Sequence, residues 1–284
     1  MTNALQIDNI WKKYKDFALQ DISLSVPQGR VVGLIGENGS GKSTTIRCII
    51  GQSVPDQGTV SVYGRNALTD LQTHQIIGCA IEPKCFPEIF DARMVSAVMK
   101  DIFTEWDAPY FFGFLEKFNV PLDRKIKNMS KGMQVKLVLA AAISHGAKLL
   151  LLDEATAGLD PVVREEILEL LQEFMEDPEH AILITSHITS DIEQIADSVL
   201  FIRDGRILFE VEKNELENYG IAQLRKEEID LVDSALILAM RKLPMHTEAL
   251  ISDRSQFALR YPDYALSPAS LDDVIVLLSK GEHS

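Results

Sequence analysis

Along the first 30 residues, Leu5-Gln6-Ile7 and Ile22-Ser23-Leu24-Ser25-Val26 alternate apolar and polar positions, the period-two pattern of half-buried strands. Pro27-Gln28-Gly29 reads as a turn. The nearly unbroken apolar run from Arg30 to Ile35 predicts a strand covered on both faces. A helical pattern runs from Lys42 to Ile50, and Thr59-Val60-Ser61-Val62-Tyr63 is another alternating strand closed by Gly64. From about residue 83 to 145 the texture changes. Pro83, Pro87 and Pro109 punctuate the chain, phenylalanines concentrate between Phe103 and Phe118, and segments 92–106 and 110–118 read as helices. A helical insert is predicted there.

Leu149 to Leu152 and Ala181 to Thr185 are short apolar runs on either side of a helix over 162–175. Strand, helix and strand with buried strands imply parallel pairing and a right-handed crossover. Val199 to Ile202, the turn Arg203-Asp204-Gly205 and Arg206 to Val211 predict a hairpin. From Gly220 the pattern resets. Ile229 to Met240 predicts a helix and Phe257 to Tyr261 a strand, while Ser270-Leu271-Asp272-Asp273 resembles a capping box for a last helix. The expected organisation is a main domain over 1–220, with the helical insert at about 83–145, and a small α/β accessory domain over 221–284.

Composition narrows the function classes. The 284 residues are 46% hydrophobic, ample for a large core. Lys and Arg number 28 against 42 Asp and Glu, a net charge of −14, which argues against nucleic acid as the main ligand. Residues 151–220 carry the imbalance, with 18 acidic and 4 basic side chains, mostly on solvated helix faces. The longest unbroken apolar run, Leu137 to Ile143, is far short of the roughly 20 residues of a membrane-spanning helix. Met1 to Phe17 carries Lys12, Lys13 and Lys15 and no apolar stretch of a secretory signal. Cys48, Cys79 and Cys85 lack metal-ligand spacing and read as reduced thiols. These features predict a soluble cytoplasmic protein.

Two segments carry chemistry. Gly36-Glu37-Asn38-Gly39-Ser40-Gly41-Lys42-Ser43 matches G-x-x-x-x-G-K-[ST] between a buried strand and a helix. Glycines at 36, 39 and 41 let the backbone approach crowded phosphate oxygens, and the N–H groups around Gly39, Ser40 and Thr44 can converge on them. Lys42 supplies a mobile charge for the β and γ phosphates, and the Ser43 hydroxyl suits Mg²⁺. Leu149 to Leu152 then lead into Asp153 and Glu154, two acids at the carboxyl end of a buried strand. Asp153 can hold Mg²⁺, and Glu154 can polarise an attacking water as general base. A nucleoside triphosphate site follows.

The order of these segments resembles the ATP-binding subunit of an ABC (ATP-binding cassette) transporter over about residues 4–215. Residues 36–44 resemble its Walker A loop and 149–154 its Walker B strand. Met129-Ser130-Lys131-Gly132-Met133-Gln134 stands where the family has its signature, usually Leu-Ser-Gly-Gly-Gln, and the Ser-Lys-Gly-Met form resembles bacterial ABC-2 type exporters. Gly158-Leu159-Asp160-Pro161 is similar to the D-loop, His187 to the switch histidine and Tyr14 to the adenine-stacking aromatic. The resemblance implies a P-loop NTPase (RecA-like) α/β core with an antiparallel β subdomain, the helical insert and a small C-terminal α/β appendage.

Much else follows only from that resemblance. Two cassettes would enclose ATP and Mg²⁺, with Ser130 and Gly132 of one facing the γ-phosphate held by the other, and Asp160 at the interface. His187 would hold the attacking water. Glu82 stands where the family usually has Gln and would ligand Mg²⁺ with Ser43 and Asp153. The partners would be a second cassette and a separate membrane permease, placing the chain on the cytoplasmic face of the membrane, in a bacterial exporter of peptide or antimicrobial compounds. Phe86, Phe90, Phe111 and Phe112 could line the groove for the permease, with packing in the core as the plain reading of each. Plain roles stay open beside these: Ser130 and Asp160 as helix caps, and Tyr14, like Trp11 and Phe17, as packing in a β layer. A non-transport ABC ATPase or an ATP-gated interaction module is the alternative function.

Overall fold

The computed structural model describes residues 2–81, 85–280 and 282–283. Glu82, expected as a metal ligand, lies outside them. The chain divides into two compact units, one formed by residues 1–197 and 202–207, the other by 198–201 and 208–284.

In the first unit, β1 (Asn3–Lys13) and β2 (Ala18–Pro27) form a long antiparallel pair, with Leu5, Ile7, Ile10, Ile22 and Val26 fully buried. β3 (Val31–Ile35) is buried along its whole length, and α1 (Lys42–Ile49) follows it. β4 (Gln57–Val62) pairs with β1, and the two-residue β5 (Arg65–Asn66) completes a sheet in the order β2-β1-β4-β5. A short 3₁₀ segment leads into β6 (Ile77–Ala80). Its Ile-Gly-Cys-Ala sequence gives too faint a pattern to read as a strand.

The insert is helical, as expected. Helices α2 (Ala92–Ile102) and α3 (Ala108–Lys117) are capped by Asp91 and Asp107, whose carboxylates accept from Met94 N at 3.0 Å and Tyr110 N at 2.8 Å. Phe111 is fully buried beside Trp106 and Phe112, so it belongs to the insert's core and not to a groove. α4 (Lys131–Ile143) is capped by Ser130, and Gly146 turns the chain at φ 74°.

β7 (Leu149–Asp153), α5 (Pro161–Phe174), β8 (Ala181–Ser186) and α6 (Thr189–Ile195) complete the first unit's wound core. Four strands run parallel in the order β3-β8-β7-β6, so β7 and β8 are buried on both faces. Leu149 to Leu152 are fully buried, each worth roughly 1.5–3 kcal/mol of transfer free energy. The carboxyl ends of these strands emerge together. β9 (Ser198–Arg203) and β10 (Arg206–Glu212) form the expected hairpin, and the division between the units falls within it.

The second unit contains α7 (Lys213–Asn218), β11 (Gly220–Leu224), β12 (Ile237–Lys242), β13 (Thr247–Ile251), α8 (Arg254–Arg260), β14 (Ala265–Pro268), α9 (Leu271–Lys280) and β15 (Glu282–His283). Its sheet has the order β14-β11-β13-β12-β15, with Phe257, Ala222 and Ile251 in one cluster and Val274, Leu277 and Leu250 in another. Two sequence expectations fail here. The helix predicted over 229–240 gives way to 3₁₀ turns and β12, because Ile237 and Ala239 alternate inward when paired with β13. The strand predicted at 257–261 is helix α8, started by Asp253, which accepts from Gln256 N at 2.8 Å. The capping box at Ser270 is present in both directions, Asp273 N donating to Ser270 Oγ at 3.2 Å and Ser270 N to Asp273 Oδ2 at 3.0 Å.

Candidate active site

The phosphate-loop residues sit between the end of β3 and the start of α1. Gly36 admits nothing larger, because a Cβ there would stand 2.2 Å from the Ile202 carbonyl oxygen and 2.7 Å from Ser40 Oγ. Gly41, at φ 121°, occupies a backbone region that other residues rarely adopt. It is also the N-cap of α1 and offers no side-chain cap, in contrast to the Asp and Ser caps of α2 to α5. The N–H groups of the first turn, including those of Ser43 and Thr44, therefore point outward as donors with no intrahelical acceptor. Asn38 and Gly39 are exposed at the loop's tip, and Ser40 is buried, its hydroxyl without a hydrogen-bond partner among the described residues. This is a cradle built for an anion.

Lys42 is almost fully buried. Its ammonium donates to the carbonyl oxygens of Gly36 at 2.7 Å and Glu37 at 3.3 Å, and stands 3.3 Å from Glu154 Oε1. That carboxylate oxygen faces the charge without hydrogen-bond alignment. The other oxygen, Oε2, lies 2.5 Å from His187 Nδ1. Glu154 holds a left-handed φ of 54°, unusual for a residue with a side chain. Its N–H donates to Thr185 O and Thr185 Oγ1, both at 3.1 Å, which fixes the turn out of β7. Thr185 Oγ1 in turn donates to Asp153 Oδ1 at 2.5 Å. Lys42, Asp153, Glu154 and His187 thus converge from two strand ends and a helix start.

Thr185 is the member of this cluster that no motif marks. Its only signal in the sequence is a hydroxyl that, with Ser186, ends an otherwise apolar strand.

Ser130, Gly132 and Asp160 gather at a second place, the adjoining starts of α4 and α5. Ser130 Oγ accepts from Met133 N at 3.3 Å, and Asp160 Oδ1 from Val163 N at 3.1 Å, so both act as caps. A Cβ on Gly132 would meet Val163 Cγ1 at 2.9 Å, which explains a glycine where the two helices touch. Tyr14 is partly exposed, its hydroxyl 2.7 Å from Ser53 Oγ beyond the end of α1. Phe17 lies against the phosphate loop instead, its ring edge 3.1 Å from the Cβ position of Gly41.

Among the described residues no group of three or more His, Cys, Asp or Glu could by itself hold a metal ion, and no helix is long and apolar enough to cross a membrane. Oxygen donors at Ser43 and Asp153 beside a phosphate cradle nevertheless fit Mg²⁺, which takes much of its shell from phosphate and water.

Comparison with known proteins identifies the family. A family model described as ABC transporter matches residues 19–157. The lantibiotic transport ATP-binding protein SrtF of Streptococcus pyogenes is 33% identical over 223 residues, covering 75% of this chain and 93% of that protein. The bacitracin transport ATP-binding protein BcrA of Enterococcus faecalis is 27% identical over 277 residues, covering 96% of this chain and 88% of that one. A solved ATP-binding subunit of an ABC transporter shares the fold at a TM-score of 0.72 and 24% identity, over 98% of this chain and 100% of that chain. An uncapped phosphate cradle facing a strand-end carboxylate, together with these relatives, makes the chain a member of the ABC transporter family, as a nucleotide-binding, ATP-hydrolysing subunit.

Proposed function

We propose that this chain binds Mg-ATP between two cassettes and that hydrolysis drives a separate membrane subunit in the export of a peptide or antimicrobial compound. The observation that carries the chemistry is the Lys42–Glu154–His187 cluster at the mouth of α1. Lys42 meets the β and γ phosphates, and the N–H groups of residues 39–44 surround them. Ser43 and Asp153 hold Mg²⁺, with Glu82 as a further oxygen donor by its position in the sequence. When bound, the ion shields phosphate charge and draws electron density from the transferring group.

Glu154 is the general base. His187, paired to its carboxylate, orients that base and the water it deprotonates. Ser130 and Gly132 present the start of α4 to the nucleotide of the partner cassette, where a helix N-terminus favours a γ-phosphate. Asp160 would lie at that interface, and Tyr14 would stack on adenine. The two-cassette arrangement fits the exposure of Ser130 and Asp160 at the starts of α4 and α5.

The export reading rests on the relatives' transport of a lantibiotic and of bacitracin. The membrane subunit would settle against α2, where Met94, Val98 and Ile102 form an exposed apolar row four residues apart, beside a cavity of about 420 Å³ lined by Phe86, Met99 and Phe103. That contact would hold the chain at the cytoplasmic face of the membrane. Residues 1–220 would act as the cassette and 221–284 as an accessory domain. The non-transport alternatives have no comparable support.

Glu154→Gln tests the chemistry. Mg-ATP binding should survive, kcat should fall by at least about 100-fold, and an ATP-dependent dimer should accumulate in size-exclusion chromatography. Turnover near the wild-type rate would reject Glu154 as the base.

A further inference from the structure

Lys131 is a cation that the nucleotide chemistry leaves unused. It opens α4 directly after the Ser130 cap, where the helix dipole disfavours positive charge and a partner that accepts from its ammonium offsets that cost. That partner is in the same chain. Lys131 Nζ donates to the Ala157 carbonyl oxygen at 2.5 Å, three residues beyond Glu154 and three before Asp160. Gly158 turns at φ 66°, and a Cβ there would stand 2.9 Å from the ammonium. The next residue, Gly132, packs on Val163 just past the loop. Residues 131 and 132 therefore touch the middle of the 155–160 loop and the first turn of α5 beyond it. Lys131 also lines a cavity of about 220 Å³ with Asp153, Glu154, Ala155 and Ala157. Beyond the loop, Arg164 faces buried Asp191 at 3.6 Å, in the first turn of the helix that follows His187.

We propose that Lys131 is a positioning residue, a latch that joins the start of α4 to the 155–160 loop so that both move together and carry Glu154 with them. The inference rests on the reading that two cassettes enclose ATP. Closure of α4 on the partner's nucleotide then sets the loop, and the loop sets the base of this chain's own site. A lysine that touched phosphate directly would alter nucleotide binding. A latch alters turnover.

The test uses the full chain. Lys131→Met keeps the alkyl stem and removes the donor, and Lys131→Arg restores a donor. For Lys131→Met, affinity for methylanthraniloyl-ATP with Mg²⁺ and the melting temperature should stay at wild-type values, KM should hold, and kcat should fall about tenfold. Lys131→Arg should recover most of that loss. A wild-type kcat for Lys131→Met, a loss expressed in KM alone, or no recovery with Arg would overturn the latch. Glu154→Gln dimers, measured in parallel, separate the two ideas. If they form while Lys131→Met turns over normally, only the latch fails; if they do not form, the two-cassette reading fails and the latch with it.

Discussion

Thr185 and Glu154 set the geometry of the site through contacts that no motif announces. Thr185 reaches Asp153 from a strand 32 residues further along, and only parallel pairing of β7 with β8 brings the two side by side. Its hydroxyl and carbonyl also take the Glu154 N–H, which supports a left-handed φ that would otherwise cost about 1–2 kcal/mol. Thr185→Val preserves shape and deletes the hydroxyl. A hydrogen bond to a charged group is worth about 1.5–3 kcal/mol, so kcat should fall about tenfold or more while nucleotide affinity changes little. Steady-state ATPase assays across ATP concentrations measure the split. The motif residues themselves were legible in the sequence because phosphate chemistry dictates their spacing. Thr185 was not, because its role depends on which strand lies next to which.

Helix starts differ in what meets their first N–H groups, and neither α1 nor α6 has a side-chain cap. Five helices, α2 to α5 and α8, begin with an Asp or Ser side chain on an N-terminal N–H, whereas α1 begins with bare Gly41. The insert behaves as scaffold. After α4, buried His145 stacks on Phe103 with ring centroids 3.9 Å apart, and its Nδ1 donates to Gln75 O at 3.1 Å. Burial disfavours the imidazolium and holds this group below the ordinary value of 6.5, outweighing the hydrogen bond to Gln75. The unfolded chain therefore takes up the proton first as pH falls. Stability from this site is complete above pH 6.5 and declines below it, by up to about 1.4 kcal/mol per pH unit until the folded ring also titrates. Urea unfolding at several pH values should show a shallower acid-side slope for His145→Gln than for the wild type.

At the scale of the molecule, the two compact units have separate cores. Phe257 is fully buried in the second unit, packed against Tyr261 and Tyr264 at centroid distances of 5.0 and 6.3 Å. Phe257→Ala should destabilise that unit by about 3–5 kcal/mol. Mg-ATP affinity should stay at the wild-type value, because the phosphate cradle belongs to the first unit. Calorimetry paired with nucleotide titration checks this, and joint loss of both would mean that the units do not act independently. The second unit was also the harder one to read. Its segments are short, and helix and strand patterns are close to degenerate over five to seven residues. At 229–240 cross-strand pairing overrode a helical periodicity, and at 254–260 a single Asp cap started a helix where a strand was expected.

By itself the sequence determined the wound α/β core, the helical insert, the phosphate loop, the strand-end acids and the family. Each is written in local spacing, where a period of two or 3.6, or a glycine at a required dihedral, suffices. Tertiary structure alone decided that Thr185 braces Asp153 and Glu154, that Lys42 faces Glu154, that Lys131 holds Ala157, and that Phe111 fills the insert's core. Those contacts join residues distant in the chain, and a hydroxyl or an ammonium carries no mark of its partner until strand order and helix packing bring the two within hydrogen-bond reach.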